Sequence, residues 1–202
     1  MRKIITTTMI TLDGVMQAPG GSKEDTADGF KYGGWQSGYG NEEADNIYDT
    51  KIQADPFDLL LGKRTYDIFA GYWPNHKDEP RWGTPFDRAK KYVVSHKPFE
   101  LSWDNSELIT GNVVEEIRKL KNSDGPDLLI YGSSNLIQTL LKHNLIDRMH
   151  IWTFPITIGT GKKLFEQGTQ PQHFKQVDAK ITSTGVIFAT YEFSTPLKPE
   201  SV

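Results

Sequence analysis

Short, unbroken apolar runs recur along the chain, each closed by a glycine or polar turn and followed by an amphipathic stretch. Leu128, Leu129, Ile130 and Tyr131 form one such run, ending at Gly132. Its continuity predicts a strand buried on both faces of a parallel sheet. Behind it Leu136, Ile137, Leu140 and Leu141 fall on one helical face, while Gln138, Thr139 and Lys142 point away. Ser133 or Ser134 is expected to cap that helix and Asn144 to stop it. The same device precedes Gly62: an apolar run from Leu59 to Leu61, then a short helix closed by Gly71. A third buried run, Tyr92 to Ser95, follows a helix start in which Thr84 is the expected cap and Pro85 lies in the first turn. Asn112 to Glu115 reads as a capping box before a helix that buries Val113, Ile117 and Leu120.

The flanks differ from this middle section. Lys3 to Leu12, rich in isoleucine and threonine, predicts a first strand that ends in the Asp13-Gly14 turn. Asn41 to Ala54 has helical character, with Ala44, Ile47 and Tyr48 on one side and Glu42, Glu43 and Asp45 near its positive end. Phe174 to Ile181 and Gly185 to Phe193 read as a terminal antiparallel hairpin joined by Thr182 to Thr184. Strands and helices alternate from Leu59 to Phe154, so right-handed crossovers would gather the parallel carboxyl ends on one rim. The expected class is α/β, one domain over residues 1–195, with a frayed tail at 196–202.

The segment 17–40 breaks the pattern. It is glycine-rich and acidic, with Phe30, Tyr32, Trp35 and Tyr39 among its aromatics, and has no period that supports an element. A loop of that length is either a functional lid over something flat or a surface loop pinned by its own rings.

A chain of 202 residues suffices for one well-buried core. The formal charge of -3 offers no basic field for nucleic acid. There is no cysteine, which removes disulfides, thiolate nucleophiles and cysteine-bound zinc, and the five histidines show no metal-ligand spacing. The start is too polar for a signal-peptide core and no apolar stretch approaches membrane-spanning length, so a cytoplasmic protein without a membrane or nucleic-acid partner is expected. G-x-G-x-x-G, P-loop, G-x-S-x-G and zinc-deaminase patterns are all absent. What remains is chemistry that a cofactor carries.

Three turns suit an anionic ligand. Gly132 lies between a buried strand and a helix start, where free N–H groups and the helix dipole favour phosphate, although any α/β sheet uses such turns for packing. Lys63 and Arg64 follow Gly62 and place two cations in a first helical turn, against the dipole. Ser95, His96 and Lys97 end the third run in polar and basic residues.

Taken in order, TLDGVMQAPG, LLLGKRTYDIFAGYWP, YVVSHKP, LLIYGSSNLIQTLLKHNLIDRMHI and PITIGTGKKLF resemble the dihydrofolate reductase superfamily, above all its riboflavin-pathway reductase branch, which includes stand-alone bacterial proteins. The resemblance implies a three-layer α/β/α fold around a mixed, mainly parallel sheet, NADPH as hydride donor, and a homodimer. It implies that Gly62, Lys63, Arg64 and Thr65 serve the cofactor's phosphates, that Ser95, His96 and Lys97 lie near its adenosine end, and that Gly132, Ser133, Ser134, Asn135 and Leu136 take the pyrophosphate. On the substrate side it points to Gly14, Trp35, Tyr66 and Thr153. Asp13 fits the riboflavin-type pattern as a catalytic carboxylate but is equally a turn former, and Asp45 lies near the place of the folate enzymes' carboxylate. The implied activity is hydride transfer to a small heterocyclic or carbonyl/imine substrate, as in reduction of 5-amino-6-ribosylaminouracil phosphate. A true dihydrofolate reductase, or a nucleotide-binding protein that keeps the fold without turnover, would show the same segments.

Overall fold

A computed structural model describes residues 1–197. Strand β1 (Ile4–Thr11) is followed by the long loop, helix α1 (Glu42–Ile47) with a π-helical turn (Tyr48–Ile52), β2 (Phe57–Gly62), α2 (Lys63–Tyr72) and α3 (Gly83–Arg88). Then come β3 (Lys91–Val94), β4 (Ser106–Ile109), α4 (Val113–Lys121), β5 (Asp127–Tyr131), α5 (Ser134–Lys142), β6 (Arg148–Phe154), β7 (Gln172–Ile181) and β8 (Ile187–Pro196).

All eight strands join one sheet in the order β4-β3-β2-β5-β1-β6-β8-β7. From β4 to β6 every pairing is parallel; β8 runs antiparallel to β6, and β7 antiparallel to β8. The period of two along each strand sorts the side chains into two cores. On one face Ile4, Leu60, Leu128, Ile130, Met149 and Ile151 meet Ile117 of α4 and Leu136, Ile137, Leu140 and Leu141 of α5. On the other, Leu59, Leu61 and Val93 pack on Tyr66 and Phe86, while Leu129, Trp152 and Phe188 pack on Ile47, Tyr48 and Ile52. Helices therefore cover both faces in three layers. A residue such as Ile137, with no exposure, contributes roughly 1.5–3 kcal/mol by burial, and truncating it to alanine would cost about 2–5 kcal/mol because a cavity remains.

Several local expectations change. β4 joins the sheet edge beside β3 where no strand was expected, because Ser106-Glu107-Leu108-Ile109 alternates over only four residues. Thr84 does not cap α3; it lies inside the helix and its hydroxyl donates to Lys77 O, while the Glu79 carboxylate accepts from the N–H groups of Trp82 and Gly83. α2 runs past Gly71 to Tyr72. Of the capping box only the forward bond forms, Glu115 N–H donating to Asn112 Oδ1, while the Glu115 side chain pairs with Arg118. Pro196 still belongs to β8 and pairs with Gln172, so the tail begins later than expected; residues 198–202 lie outside the described residues.

Candidate active site

The carboxyl ends of β3, β2, β5, β1 and β6 are neighbours in the sheet, and one cavity of about 1430 Å³ opens along them. Five adjacent strands at about 4.8 Å spacing give it a span of roughly 19 Å, the reach of an extended dinucleotide. All the residues expected on the cofactor side line it: Gly62, Lys63, Arg64 and Thr65 after β2, Ser95, His96 and Lys97 after β3, and Gly132, Ser133, Ser134, Asn135 and Leu136 after β5.

Two of these turns are tied together. Ser133 Oγ accepts from the Gly62 N–H at 2.9 Å and lies 2.6 Å from Thr65 Oγ1. A Cβ on Gly62 would come within 2.7 Å of Ser133 Oγ, so glycine is needed there for close approach. At Gly132 the demand is different: φ is +76°, and an added Cβ would meet only Thr65 Oγ1, at 4.0 Å. Ser133 is also left-handed, at φ 71°. Its hydroxyl is spent on Gly62 and Thr65, and neither Ser133 nor Ser134 caps α5 as expected.

The helix starts differ according to where they point. Away from the β2–β5 turns, α1 is capped by Asn41 and α4 by Asn112, and both carry acids in the first turn. Facing those turns, α2 and α5 have neither a side-chain cap nor a first-turn acid, and α2 begins with Lys63 and Arg64. Their first N–H groups and positive dipole ends are left for an anion. Arg64 is half exposed and pairs with Asp25, which also holds Lys162 Nζ at 2.7 Å. Burial pushes the Asp25 carboxyl up, but hydrogen bonds from Lys162 and the Ala27 N–H, with the charges of Lys162 and Arg64, bring it below the usual range. Asp25 thereby fastens the strap Gln17 to Asp25, which lines the cavity, to the start of α2.

The far end is aromatic. Tyr48 stacks on Trp152 with centroids 4.7 Å apart, Trp82 stands edge-on to Tyr48 at 4.4 Å, and Tyr39 stands edge-on to Phe154 at 5.4 Å. These rings and Tyr131 line the cavity, and burial raises the hydroxyl pKa of both Tyr48 and Tyr131, which keeps them neutral donors. None was singled out by spacing, since they come from separate elements that only the fold brings together. Asp45 does line the cavity, one turn before Tyr48, paired with Arg81 at 2.9 Å.

The other substrate-side expectations need correction. Asp13 lies outside the cavity lining: its carboxylate accepts from Thr11 Oγ1 (2.6 Å), Ile158 N–H (3.1 Å) and Gly159 N–H (2.7 Å), tying the β1 turn to the loop after β6. The Thr11 hydroxyl and the two amides lower its pKa to about 2, with some opposition from burial. Gly14 is outside too; its carbonyl accepts from Leu164 N–H. Tyr66 is buried, its hydroxyl accepting from the N–H groups of Ser102 and Trp103. Thr153 follows the cavity-facing Trp152 on β6, so strand alternation turns it away. Trp35 donates its indole N–H to Gln17 O and stands against Phe154 from behind, and Phe30 is buried with Val15 and Ala18. The long loop is thus pinned by some of its rings, while Gln17 to Asp25 and Gln36 to Gly40 line the cavity.

The profile of a family described as RibD C-terminal domain matches residues 2–188. The chain is 31% identical over 140 residues to the uncharacterized protein YyaP of Bacillus subtilis (strain 168), covering 67% of this chain and 73% of that protein. A putative riboflavin biosynthesis protein from Shewanella sp. PV-4 superposes with a TM-score of 0.70 at 22% identity, over 95% of this chain and 99% of the other. A dihydrofolate reductase from Enterococcus faecalis, complexed with NADP(H) and RAB-propyl, superposes with a TM-score of 0.60 at 12% identity, over 95% and 96% of the two chains. The eight-stranded sheet with its closing hairpin is the dihydrofolate reductase-like fold.

Proposed function

The chain belongs to the RibD C-terminal domain family, and from that premise we propose that it is an NADPH-dependent reductase acting on a small heterocyclic or carbonyl/imine substrate. One observation carries the reading: the uncapped starts of α2 and α5, with Lys63 and Arg64, face one half of a cavity whose other half is walled with aromatic rings. The Enterococcus neighbour's complex with NADP(H) supports the choice of cofactor.

The residues present fit such a group. The uncapped first turns of α2 and α5 offer backbone N–H groups to a pyrophosphate, and Gly132 leaves the space beside its turn free of a side chain. Lys63, Arg64 and Lys97 supply positive charge for its phosphates, and His96 lines the same wall. When bound, NADPH supplies the hydride. The chain orients the reacting rings against the wall that Tyr48, Trp82 and Trp152 build by packing on one another, and excludes water beneath the strap. Asp45, rather than Asp13, is the carboxylate that can orient a polar ring of the substrate, since it lines the aromatic end. A homodimer is part of the reading and is checked by sedimentation.

Calorimetric titration with NADPH and NADH, followed by NADPH oxidation across pterin, pyrimidine and carbonyl compounds, tests the proposal. Binding that favours NADPH, together with turnover of at least one compound, is expected. Turnover of dihydrofolate alone would make it a dihydrofolate reductase, and tight binding with no turnover would make it a nucleotide-binding protein.

A further inference from the structure

Three charged side chains from separate segments of the chain meet at the start of α2. Asp25 of the strap takes Arg64 Nη2 on one carboxylate oxygen at 2.5 Å and Lys162 Nζ, from the loop after β6, on the other at 2.7 Å. The Ala27 N–H donates to the same carboxylate at 3.0 Å. Gln17, 3% exposed, holds the main chains around this cluster: its Nε2 donates to Asp25 O at 3.2 Å and its Oε1 accepts from the Lys162 N–H at 3.0 Å. Asp25 is thus fixed by both its carboxylate and its backbone. Arg64 is not: its side chain is 55% exposed, and Asp25 is its sole carboxylate partner among the described residues. All three groups line the cavity. One carboxylate against two cations leaves the cluster positive, and the adjoining Lys23 and Glu24, which also line the cavity, carry opposite charges.

We propose that Asp25 is a positioning residue of the cofactor site, holding the Arg64 guanidinium ready at the cavity for a ligand phosphate while Lys162 offsets its charge. The inference rests on the reductase reading and adds to it a carboxylate and a lysine from outside the strand-end turns. An arginine at an exposed helix start samples many rotamers, and a phosphate that captures it must freeze them; a partner that freezes the side chain beforehand removes that cost from binding. Nη2 is spent on Asp25, and the exposed remainder of the guanidinium fork is open to a phosphate beside the uncapped N–H groups of α2. A lone aspartate there would repel the same phosphate, which is why the second cation matters. Against its burial, the hydrogen bonds and cations keep the Asp25 carboxyl below the usual range, so the pairing is present at neutral pH.

The test sets charge against position. Asp25→Asn removes a negative charge beside the phosphates, so electrostatics alone would tighten NADP⁺ binding, whereas the release of Arg64 would weaken it. The measurement is calorimetric titration with NADP⁺ of the unaltered protein, of Asp25→Asn, of Arg64→Ala and of the double variant. Asp25→Asn is expected to bind NADP⁺ about three- to tenfold more weakly, and to change the affinity by less than about 1.5-fold once Arg64 is replaced by alanine. A strap that merely shaped the cavity would lose affinity equally in both backgrounds. Circular dichroism checks the fold; if Asp25→Asn is unfolded, Asp25→Ser, whose hydroxyl can still accept from the Ala27 N–H, takes its place with the same outcome expected. No binding of NADP⁺ by the unaltered protein would sink the reductase reading itself. Binding that the Asp25 variant leaves unchanged or tightens, or that falls as far without Arg64 as with it, overturns the positioning role alone.

Discussion

Asp13 shows how one carboxylate can hold two loops together. Three donors converge on it, and it stands outside the cavity, so Asp13→Asn should leave turnover per folded molecule unchanged while lowering stability by on the order of 1 kcal/mol. Its pKa is depressed, so its contribution is complete above the ordinary value of 3.8 and is lost as pH falls towards 2. Urea unfolding at neutral pH, with kinetics on any active surrogate, decides the point. Lys63 and Arg64 behave differently. Their ion pairs with Asp67 and Asp25 are partly exposed and exchangeable, and replacing both by alanine should weaken NADPH more than NADH, by about 1–2 kcal/mol in the difference. Calorimetry with both nucleotides measures it.

Among the elements, α2 and α5 give up stability that α1 and α4 keep. Asn135 is exposed in the first turn of α5, and Asn135→Asp would place a carboxylate where the dipole favours it. The variant should gain about 0.3–1 kcal/mol of stability and yet bind NADPH at least severalfold more weakly, a pair of opposite signs that a purely structural turn would not produce. Thermal melts with and without nucleotide give both values. The strand and helix pattern was legible because buried parallel strands are continuous apolar runs and α5 keeps its helical period. The residues that line the β3, β2 and β5 end of the cavity were legible because they follow their strands directly in sequence, as Gly62-Lys63-Arg64, Ser95-His96-Lys97 and Gly132-Ser133-Ser134. The aromatic end was not: Tyr48, Trp82 and Trp152 have no spacing that relates them, and Asp13 and Trp35 carried suggestive residue types into structural roles. β4 was missed because a four-residue edge strand needs no apolar run.

For the molecule as a whole, acid sensitivity is expected from the seam between β6 and β8. His150 is 3% exposed, stacked on Phe188 and bonded through Nδ1 to Thr190 Oγ1 at 2.9 Å. Burial, helped by the charge of Arg148, lowers its pKa to about 4. Between that value and 6.5 the unfolded chain binds the extra proton, so the contribution is whole above pH 6.5 and is lost as pH falls towards 4, with a slope of at most about 1.4 kcal/mol per pH unit. Urea midpoints at pH 7 and pH 5 should show this loss, and His150→Gln should flatten it. At the opposite rim Arg2, 2% exposed, bonds Asp58, Tyr92 and Pro126 O, and Arg2→Ala should cost about 3–5 kcal/mol by stranding Asp58.

β1 lies between β5 and β6, and its first contact with them spans a long stretch of chain: Lys3 and Asp127, whose hydrogen bond opens the β1–β5 seam, are 124 residues apart. At synthesis rates of about 5–20 residues per second, the ribosome needs roughly 6–25 s to deliver the partner of a strand it has already made. For that interval Ile4, Ile5, Met9 and Ile10 have no sheet to enter, and loop closure over such a distance slows the pairing further. The strand at the middle of the finished sheet is thus one that a nascent-chain chaperone would hold for long, and its waiting time is set by translation.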